Sequence, residues 1–521
     1  MVWNGWNFLI PTDTKIVLEI GNFPHISNLE LESSDWMKIV FPSDCREISE
    51  FEKFEKFLRD IRPRGAILDC ILINADSLKE LGIITIIEEC ESLLSPSGKI
   101  FVYSKKGTSP VNKLDFISLE KFNFQEFHFL GFPLSNAILF SEIHSKEDNG
   151  DHAYMKFKVT EKLLKHFQQI KYRSRRVYYF LFILRVLNYF RLSRIFFRQQ
   201  LLVFVRESGL GNSSGEREHE PWVFKNISVL PTKRKNLVPV FSENGDLRSF
   251  CKYSSGKQGE EIISNEVKIL KYLANYEFHT AKVPKVLNFK TCLARSFLEI
   301  SSKSGLKYPK KMSDAHVDWL IELFSKTSTS IPFHKSEFFS EIQEKLKVIN
   351  HYFKEESNIW LNQLCEEMVA VIDDLNLPFG VVQREFPFYH ANMIGGSEKM
   401  FVFDWEFGRV NYPPLFDLFH CLLSDKYISG AGNVLFPDRV TKTLFDSKQS
   451  QVFIKRYLEG LNLSSKIVYP LFILFLIDQL ACYLPFVDEL EEVRGHWDAL
   501  QKLKNKSSFS LEKLTSTVSV R

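Results

Sequence analysis

The sequence predicts two regions of different fold class: an α/β region over residues 1–207, built on a parallel, doubly wound sheet, and an α+β region in two lobes over 222–305 and 306–521. Three observations carry the division. Residues 14–104 alternate short β-rich runs with helical patterns, the rhythm of strands joined by crossover helices. Glu207–Pro221, ESGLGNSSGEREHEP, is polar with three Gly and three Ser, which makes 208–221 a linker. From Phe224 the order changes to paired strands, one helix and two further strands.

Length and composition fit several packed cores. At 521 residues the chain exceeds one ordinary core, and about 100 to 200 residues per domain gives three or four folding units. Its 45% hydrophobic and 25% charged content is that of a soluble globular protein, and 48 Phe imply large aromatic cores. A net charge of only +3 leaves no global basic field, so nucleic acid is not an expected partner and any site for an anion must be local. The eight Cys are scattered without CxxC spacing, signalling neither zinc nor a disulfide framework; they read as buried thiols of a reducing cytoplasm. The start, MVWNGWNFLIPTDTK, has no basic segment followed by an apolar one, so no signal peptide is expected. Two apolar stretches, Tyr178–Tyr189 and Ile467–Phe486, invite a membrane reading. The first is short and contains Arg185, and the second carries Asp478 and Gln479 near its middle, where burial in lipid is costly; both read as core helices.

The amino-terminal elements follow in the order TKIVLEIG, MKIVFP, the amphipathic EFEKFEKFLRDI, AILDCILIN, LGIITIIEECESLL and GKIFVYS. FQEFHFLGF (Phe124–Phe132) and LLVFVRE (Leu201–Glu207) are expected to close the sheet as an antiparallel pair around a long insertion. Over 1–207 the chain resembles the class I methyltransferase-like Rossmann fold. VLEIG (Val17–Gly21) stands where that family has its first strand and glycine turn, and AILDCILINADSLKEL with LLSPSGKIFVYS looks like its fourth strand, helix and fifth strand. The family holds S-adenosylmethionine on a GxGxG turn. Here Gly21 is followed by Asn22, Phe23, Pro24 and His25, whose Cβ atoms crowd the backbone's approach, and Pro24 lacks a donor. The resemblance thus implies a degenerate domain that docks substrate or serves as structure, without S-adenosylmethionine.

Residues 171–200 hold eight Lys or Arg and no acid, interleaved with Phe, Tyr and Leu. Two readings stay open. One is a helical insertion at 150–200 packed on the sheet, its arginine heads snorkelling to water. The other is a surface for an anionic membrane, a lipid-linked carrier or a glycan carrier, which would make a cytoplasmic protein peripheral to the membrane.

In the second region NISVLPT precedes LVPVFSENGDLRSFCKYS, two strands joined at Glu243-Asn244-Gly245. ISNEVKILKYLANY then reads as a helix, and KVPKVLNF and ARSFLEIS as strands. This is the order of a kinase amino-terminal lobe. Lys252 falls at the end of the third strand, and Glu266 shares a helix face with Leu270 and Leu273, so it can point back to the sheet. A strand lysine held by a helix glutamate sets one ammonium against the α and β phosphates of ATP. VLPTKRKNL (Val229–Leu237) contains no glycine where a phosphate-cradling loop belongs.

The most specific signal is VVQREFPFYHANMIGGSEKMFVFDWEFGRVNYPPLFDLFHCLL (Val381–Leu423). It resembles the aminoglycoside phosphotransferase and choline kinase pattern, HGDxxxxN, a short hairpin, IDWE, then a PxxDL helix start. The resemblance puts Asn392 in the place of the loop asparagine, Asp404 in that of the IDWE aspartate and Asp417 in that of the PxxDL aspartate. A hard Mg2+ ion takes oxygen ligands, so Asn392 and Asp404 are the expected metal residues, set across one hairpin by the Gly395-Gly396 turn. Asp417 is assigned to structure, bracing the catalytic loop from a helix start. The loop itself departs from the pattern. The aspartate of HGDxxxxN precedes the asparagine by five positions, where this chain has Pro387. QREF (Gln383–Phe386) looks like HGDF with each polar residue changed, so Glu385, seven positions before Asn392, is the candidate base, with His390 the alternative.

These readings predict an ATP- and Mg2+-dependent phosphotransferase acting on a hydroxyl of a small molecule, sugar or glycan intermediate. The resemblance supplies the substrate class, and the residues supply the nucleotide and metal site. The altered QREF loop supports an alternative, a nucleotide-binding pseudokinase scaffold fused to a degenerate methyltransferase-like module. A methyltransferase regulated by the kinase fold is a third reading, disfavoured by the missing GxGxG.

Overall fold

The computed structural model describes residues 16–20, 35–39, 68–75, 83–91, 93–105, 122–130, 139–144, 197–206, 228–231, 235–241, 247–254, 256–292, 295–303, 306–307, 309, 311–353, 359–427, 440, 442–486 and 493–504. The turn Asn22–His25, the basic segment up to residue 196 and the linker 208–221 lie outside them. The chain divides into two compact units, Met1–Ile263 with Val286–Ser304, and Ser264–Lys285 with Gly305–Arg521.

In the first unit, β1 (Ile16–Ile20), β2 (Asp35–Ile39), β3 (Leu68–Asn74) and β4 (Leu94–Lys105) run parallel in the order β2-β1-β3-β4. Helix α1 (Ile83–Glu91) connects β3 to β4. Val17, Leu18, Ile71, Leu72, Ile73, Ile100 and Phe101 have no exposed surface, which explains the near-continuous apolar runs: strands covered on both faces need no polar alternation. Gly98 is required where β4 shifts register against β3, because a Cβ there would lie 2.6 Å from Leu94 Cγ and 2.9 Å from Leu68 O. The expected antiparallel closure is present. β5 (Phe122–Leu130) pairs with β7 (Phe197–Arg206), which pairs with β4, while β6 (Leu139–His144), a strand absent from the sequence reading, flanks β5.

The sheet continues from β6 through β8 (Ser228–Pro231), β9 (Lys235–Phe241) and β10 (Leu247–Ser254). Helix α2 (Gly256–Leu273) follows, and after β11 (Ala281–Lys282) of the second unit come β12 (Val286–Cys292) and β13 (Arg295–Ser301). The full order is β12-β13-β10-β9-β8-β6-β5-β7-β4-β3-β1-β2, twelve strands in all. Lys252 is buried on β10, opposite Leu237 of β9 and Leu298 of β13.

The second unit begins within α2, where Glu266, Leu270 and Leu273 are buried together on one side. β14 (Leu306–Lys307) precedes α3 (Asp314–Thr327), β15 (Thr329–Pro332), α4 (Glu337–Tyr352), α5 (Ile359–Ile372) and β16 (Asn376–Val382). Then come the hairpin β17 (Ala391–Ile394) and β18 (Met400–Val402), β19 (Arg409–Tyr412), α6 (Phe416–Tyr427), α7 (Lys448–Gly460), α8 (Val468–Tyr483) and α9 (Arg494–Lys504). Helix α8 packs against α4, α5, α6 and α9 and is apolar on every side because every side is covered. Phe416 and Phe419 of α6 meet Phe472 and Phe475 of α8 with ring centroids 5.2–5.7 Å apart. Ser465–Tyr483 is long and apolar enough to span a membrane, yet 72% of it is buried inside the protein, which supports its reading as a core helix.

One carboxylate fixes the chain where it leaves α2. Glu322 of α3 accepts from His279 N at 2.6 Å, Thr280 N at 2.8 Å and Thr280 Oγ1 at 2.6 Å, and pairs with Lys326. Burial raises its pKa, but these bonds to the ionised form outweigh it and hold the group at about 2.

Candidate active site

Strand β16 ends at Val382, and the backbone then turns through Gln383 and Arg384. Arg384 is in the left-handed region at φ 65°, a conformation that costs a residue with a Cβ about 1–2 kcal/mol. Four of the five left-handed non-glycine residues described, Arg384, Asp404, Asn411 and Leu415, lie between β16 and α6. Such backbone persists where the surroundings over-determine it, and it clusters at functional sites.

The determinants of this loop are on the two helices behind it. Asp417, in the first turn of α6, accepts from Gln383 N at 2.7 Å and Arg384 N at 2.8 Å, one bond to each carboxylate oxygen. Burial pushes Asp417 up to about 7, against the pull of those two N–H groups and the Arg384 charge. The Arg384 guanidinium forms a two-pronged ion pair with Asp478 of α8, Nε to Oδ2 at 2.9 Å and Nη2 to Oδ1 at 2.8 Å. Gln479 Nε2 donates to Arg384 O at 3.1 Å, and Tyr412 OH donates to Asp478 Oδ1 at 2.8 Å. Lys345 of α4 lies 3.8 Å from Asp478 Oδ1 and pairs with Glu341. The polar pair that the sequence marked as unfit for lipid thus binds the loop.

Glu385 follows Arg384 and is partly exposed. Its carboxylate adds to burial in raising the proton affinity of Tyr483 and Cys482, which places it near the end of α8. His390 ends the short helical turn Phe388–His390. A carbonyl only accepts, so His390 Nδ1–H donates to Glu385 O at 3.1 Å, and Nε2 faces Asp404 Oδ2 at 3.8 Å. His316 of α3 ties the same turn: Nδ1 accepts from Ser313 N at 3.2 Å and Nε2–H donates to Phe388 O at 3.0 Å, which defines the neutral tautomer. His420 of α6, half-buried as a residue but with its Nδ1 out of contact with solvent, bonds the Phe386 carbonyl; desolvation and the nearby His390 hold it down at about 3, so it is neutral at physiological pH.

Asn392 is fully buried on β17, and neither its Oδ1 nor its Nδ2 has a protein partner. A buried amide in that state calls for an explanation such as a bound ion or water. The turn at Gly396, φ 75°, closes the hairpin as expected, but the register corrects one detail of the sequence reading. Asn392 stands opposite Phe401, and Asp404 lies three residues farther on, where its carboxylate meets His390. The physical reason is the turn: Ile394 N donates to Lys399 O and Phe403 N to His390 O, which fixes Asn392 against Phe401, and Asp404, beyond the end of β18, has left-handed backbone at φ 71°. Behind it, Asn265 of α2 donates to Glu406 O at 2.8 Å and Gly408 O at 3.0 Å. Gly408 allows that approach, since a Cβ would lie 3.1 Å from Ile269.

The structure therefore gathers Glu385, His390, Asp404 and Asp417 around one loop, with Asn392 on the adjoining strand. Glu266 is buried on α2 in the same unit, and Lys252 belongs to the other unit. Sequence reasoning missed Arg384, Asp478, Gln479, Tyr412 and Asn265 as parts of the site. A usable signal existed for the first three: an acid and an amide interrupting a wholly apolar helix need partners, and Arg384 occupies the glycine place of HGDF.

No protein-family model matches the chain, and no curated protein matches it in sequence. Among solved structures it is similar to aminoglycoside phosphotransferase APH(4)-Ia in a ternary complex with AMP-PNP and hygromycin B, at 11% identity and TM-score 0.35, covering 56% of this chain and 94% of that one. It is also similar to aminoglycoside phosphotransferase APH(3″)-Id from Streptomyces rimosus, at 13% identity and TM-score 0.32, covering 49% and 92%. A choline/ethanolamine kinase family protein from Mesorhizobium loti shows 15% identity and TM-score 0.31, covering 56% and 91%.

Proposed function

We propose that this protein is an ATP- and magnesium-dependent phosphotransferase with a two-lobed kinase-like second region, acting on a hydroxyl group of a small molecule, sugar or glycan intermediate. The observation that carries the reading is the Gln383–Phe386 loop. Asp417 binds the backbone N–H groups of Gln383 and Arg384, Arg384 adopts the left-handed backbone natural to the glycine of HGDF, and Glu385 follows in the place of the aspartate. This supports the alignment of QREF with HGDF over any alignment through Pro387.

The donor chemistry suits a magnesium ion: Asn392 offers an amide oxygen with no protein partner, and Asp404 offers a carboxylate. Bound there, the ion would neutralise charge on the transferring phosphoryl group. Glu385 would orient the acceptor hydroxyl and take its proton, while His390 would hold the loop through its bond to Glu385 O. Lys252 and Glu266 would steady the nucleotide phosphates. The first unit would present the acceptor, in the cytoplasm, without S-adenosylmethionine.

The test separates binding from chemistry. Asp404→Asn removes a charged hard ligand, so magnesium-ATP affinity and turnover should fall together. Glu385→Gln should leave that affinity within threefold and lower turnover by about 10²-fold. Nucleotide binding by the wild type without turnover on a broad panel of sugars and amino alcohols would favour the pseudokinase scaffold, and unchanged turnover in Glu385→Gln would move the base to His390.

A further inference from the structure

Arg384 is held at every polar group it has. Its N–H goes to Asp417, its carbonyl oxygen takes a bond from Gln479, and its guanidinium is clasped by Asp478. The Arg384 side chain is 7% exposed, that of Asp478 is fully buried, and the ring of Tyr412 lies 5.4 Å from the guanidinium. A left-handed arginine inside a helical core has no local reason to exist, because glycine would take that backbone freely and leave no charge to neutralise. The arrangement makes sense as a clamp. The residue that follows it is Glu385, which is partly exposed beside the end of α8.

We infer that Asp478 and Gln479 of α8 are positioning residues: through Arg384 they lock the Gln383–Phe386 loop in the one conformation that presents Glu385. The inference deepens the phosphotransferase reading and rests on it for the meaning of Glu385, though the clamp itself can be tested without it. Asp417 alone fixes two backbone N–H groups and leaves the carbonyl side of Arg384 free to rotate. The α8 contacts attach the Arg384 side chain and carbonyl, between the Gln383 side chain, which donates to Phe403 O and Asp404 O, and the Glu385 carbonyl, which His390 holds; of these attachments only the one through α8 fixes Arg384 itself beyond its N–H. Lys345 and Glu341 extend the network to α4, so the clamp is braced against a third helix.

The experiment uses the full-length protein with two independent readouts. Hydrogen exchange of a peptide spanning Gln383–Phe386 reports the loop; magnesium-ATP affinity and phosphate release from magnesium-ATP to water report the site. Asp478→Asn should speed exchange of the loop amides at least tenfold and cut phosphate release at least tenfold, with nucleotide affinity within threefold of wild type. Arg384→Lys should recover part of the release lost in Arg384→Met. The double variant Arg384→Gly with Asp478→Leu, made in a Tyr412→Phe background so that no buried hydroxyl loses its acceptor, removes the ion pair and suits the left-handed backbone, so it should melt within a few degrees of wild type and still lack loop protection. Wild-type loop exchange in Asp478→Asn, or wild-type protection and release in the double variant, would overturn the clamp. Absence of magnesium-ATP binding by the wild type would instead overturn the phosphotransferase reading, and the exchange data would still decide whether α8 holds the loop.

Discussion

Replacing Asp417 by Asn tests how much of the loop's order comes from one carboxylate. In the wild type its two oxygens accept Gln383 N at 2.7 Å and Arg384 N at 2.8 Å, and the residue is 4% exposed. At about pH 8.5, above its folded pKa of about 7, Asp417 is ionised, and hydrogen bonds to a charged group contribute about 1.5–3 kcal/mol each. Asparagine keeps one acceptor and turns an NH2 group toward the other N–H, so one bond is lost and a donor faces a donor. A loss of about 3 kcal/mol in local stability corresponds to a factor of about 10² in the opening equilibrium. Native-state hydrogen exchange reads that factor directly, since a loop amide opens below the global unfolding free energy. Peptides carrying Gln383 and Arg384 should exchange about 10²-fold faster in the variant, while peptides from α8 keep their protection. Exchange within twofold of wild type at those two amides would refute the reasoning, because it would mean that the other attachments of the loop hold the turn without Asp417.

Glu322→Gln should cost about 2 kcal/mol in the stability of the second unit, because three donors from His279 and Thr280 lose a charged acceptor. As the folded pKa of Glu322 is held down at about 2, its contribution is full above the ordinary carboxyl range and is lost as pH falls toward 2; a flat acid limb in the wild-type melting curve below pH 4.5 would contradict it. His420 and His496 are held down by burial at about 3 and about 4, so the unfolded chain takes up protons first and stability falls as pH drops below 6.5, by up to about 1.4 kcal/mol per pH unit for each histidine. Because Asp417, with a folded pKa of about 7, contributes in the opposite sense over this range, the check is a comparison: an equal change in melting temperature between pH 7 and 5 for the wild type and for His496→Gln would overturn the assignment for His496.

Much was legible in the sequence because it depends on local pattern. Apolar runs such as VLEI and ILDCILIN declare strands buried on both faces, the Phe-rich FQEFHFLGF and the apolar LLVFVRE mark the paired β5 and β7, and the Gly395-Gly396 turn marks a hairpin before any partner is known. Asn392, Asp404 and Asp417 were singled out by the resemblance to a phosphotransferase motif, whose spacing around one hairpin and one helix start is a short-range property. What only the tertiary structure decided is which distant groups meet. Arg384 and Asp478 are 94 residues apart, and a left-handed arginine cannot be read from QREF, since its backbone angle is held by contacts with α6 and α8. The same holds for Asn265, 141 residues from Glu406, and for the register that brings Asp404 to His390 and leaves Asn392 opposite Phe401. Hydrophobic burial is non-directional and writes itself along the chain as periodicity, whereas a buried charge or amide is satisfied by one partner in one orientation, and that partner is chosen only when the helices pack.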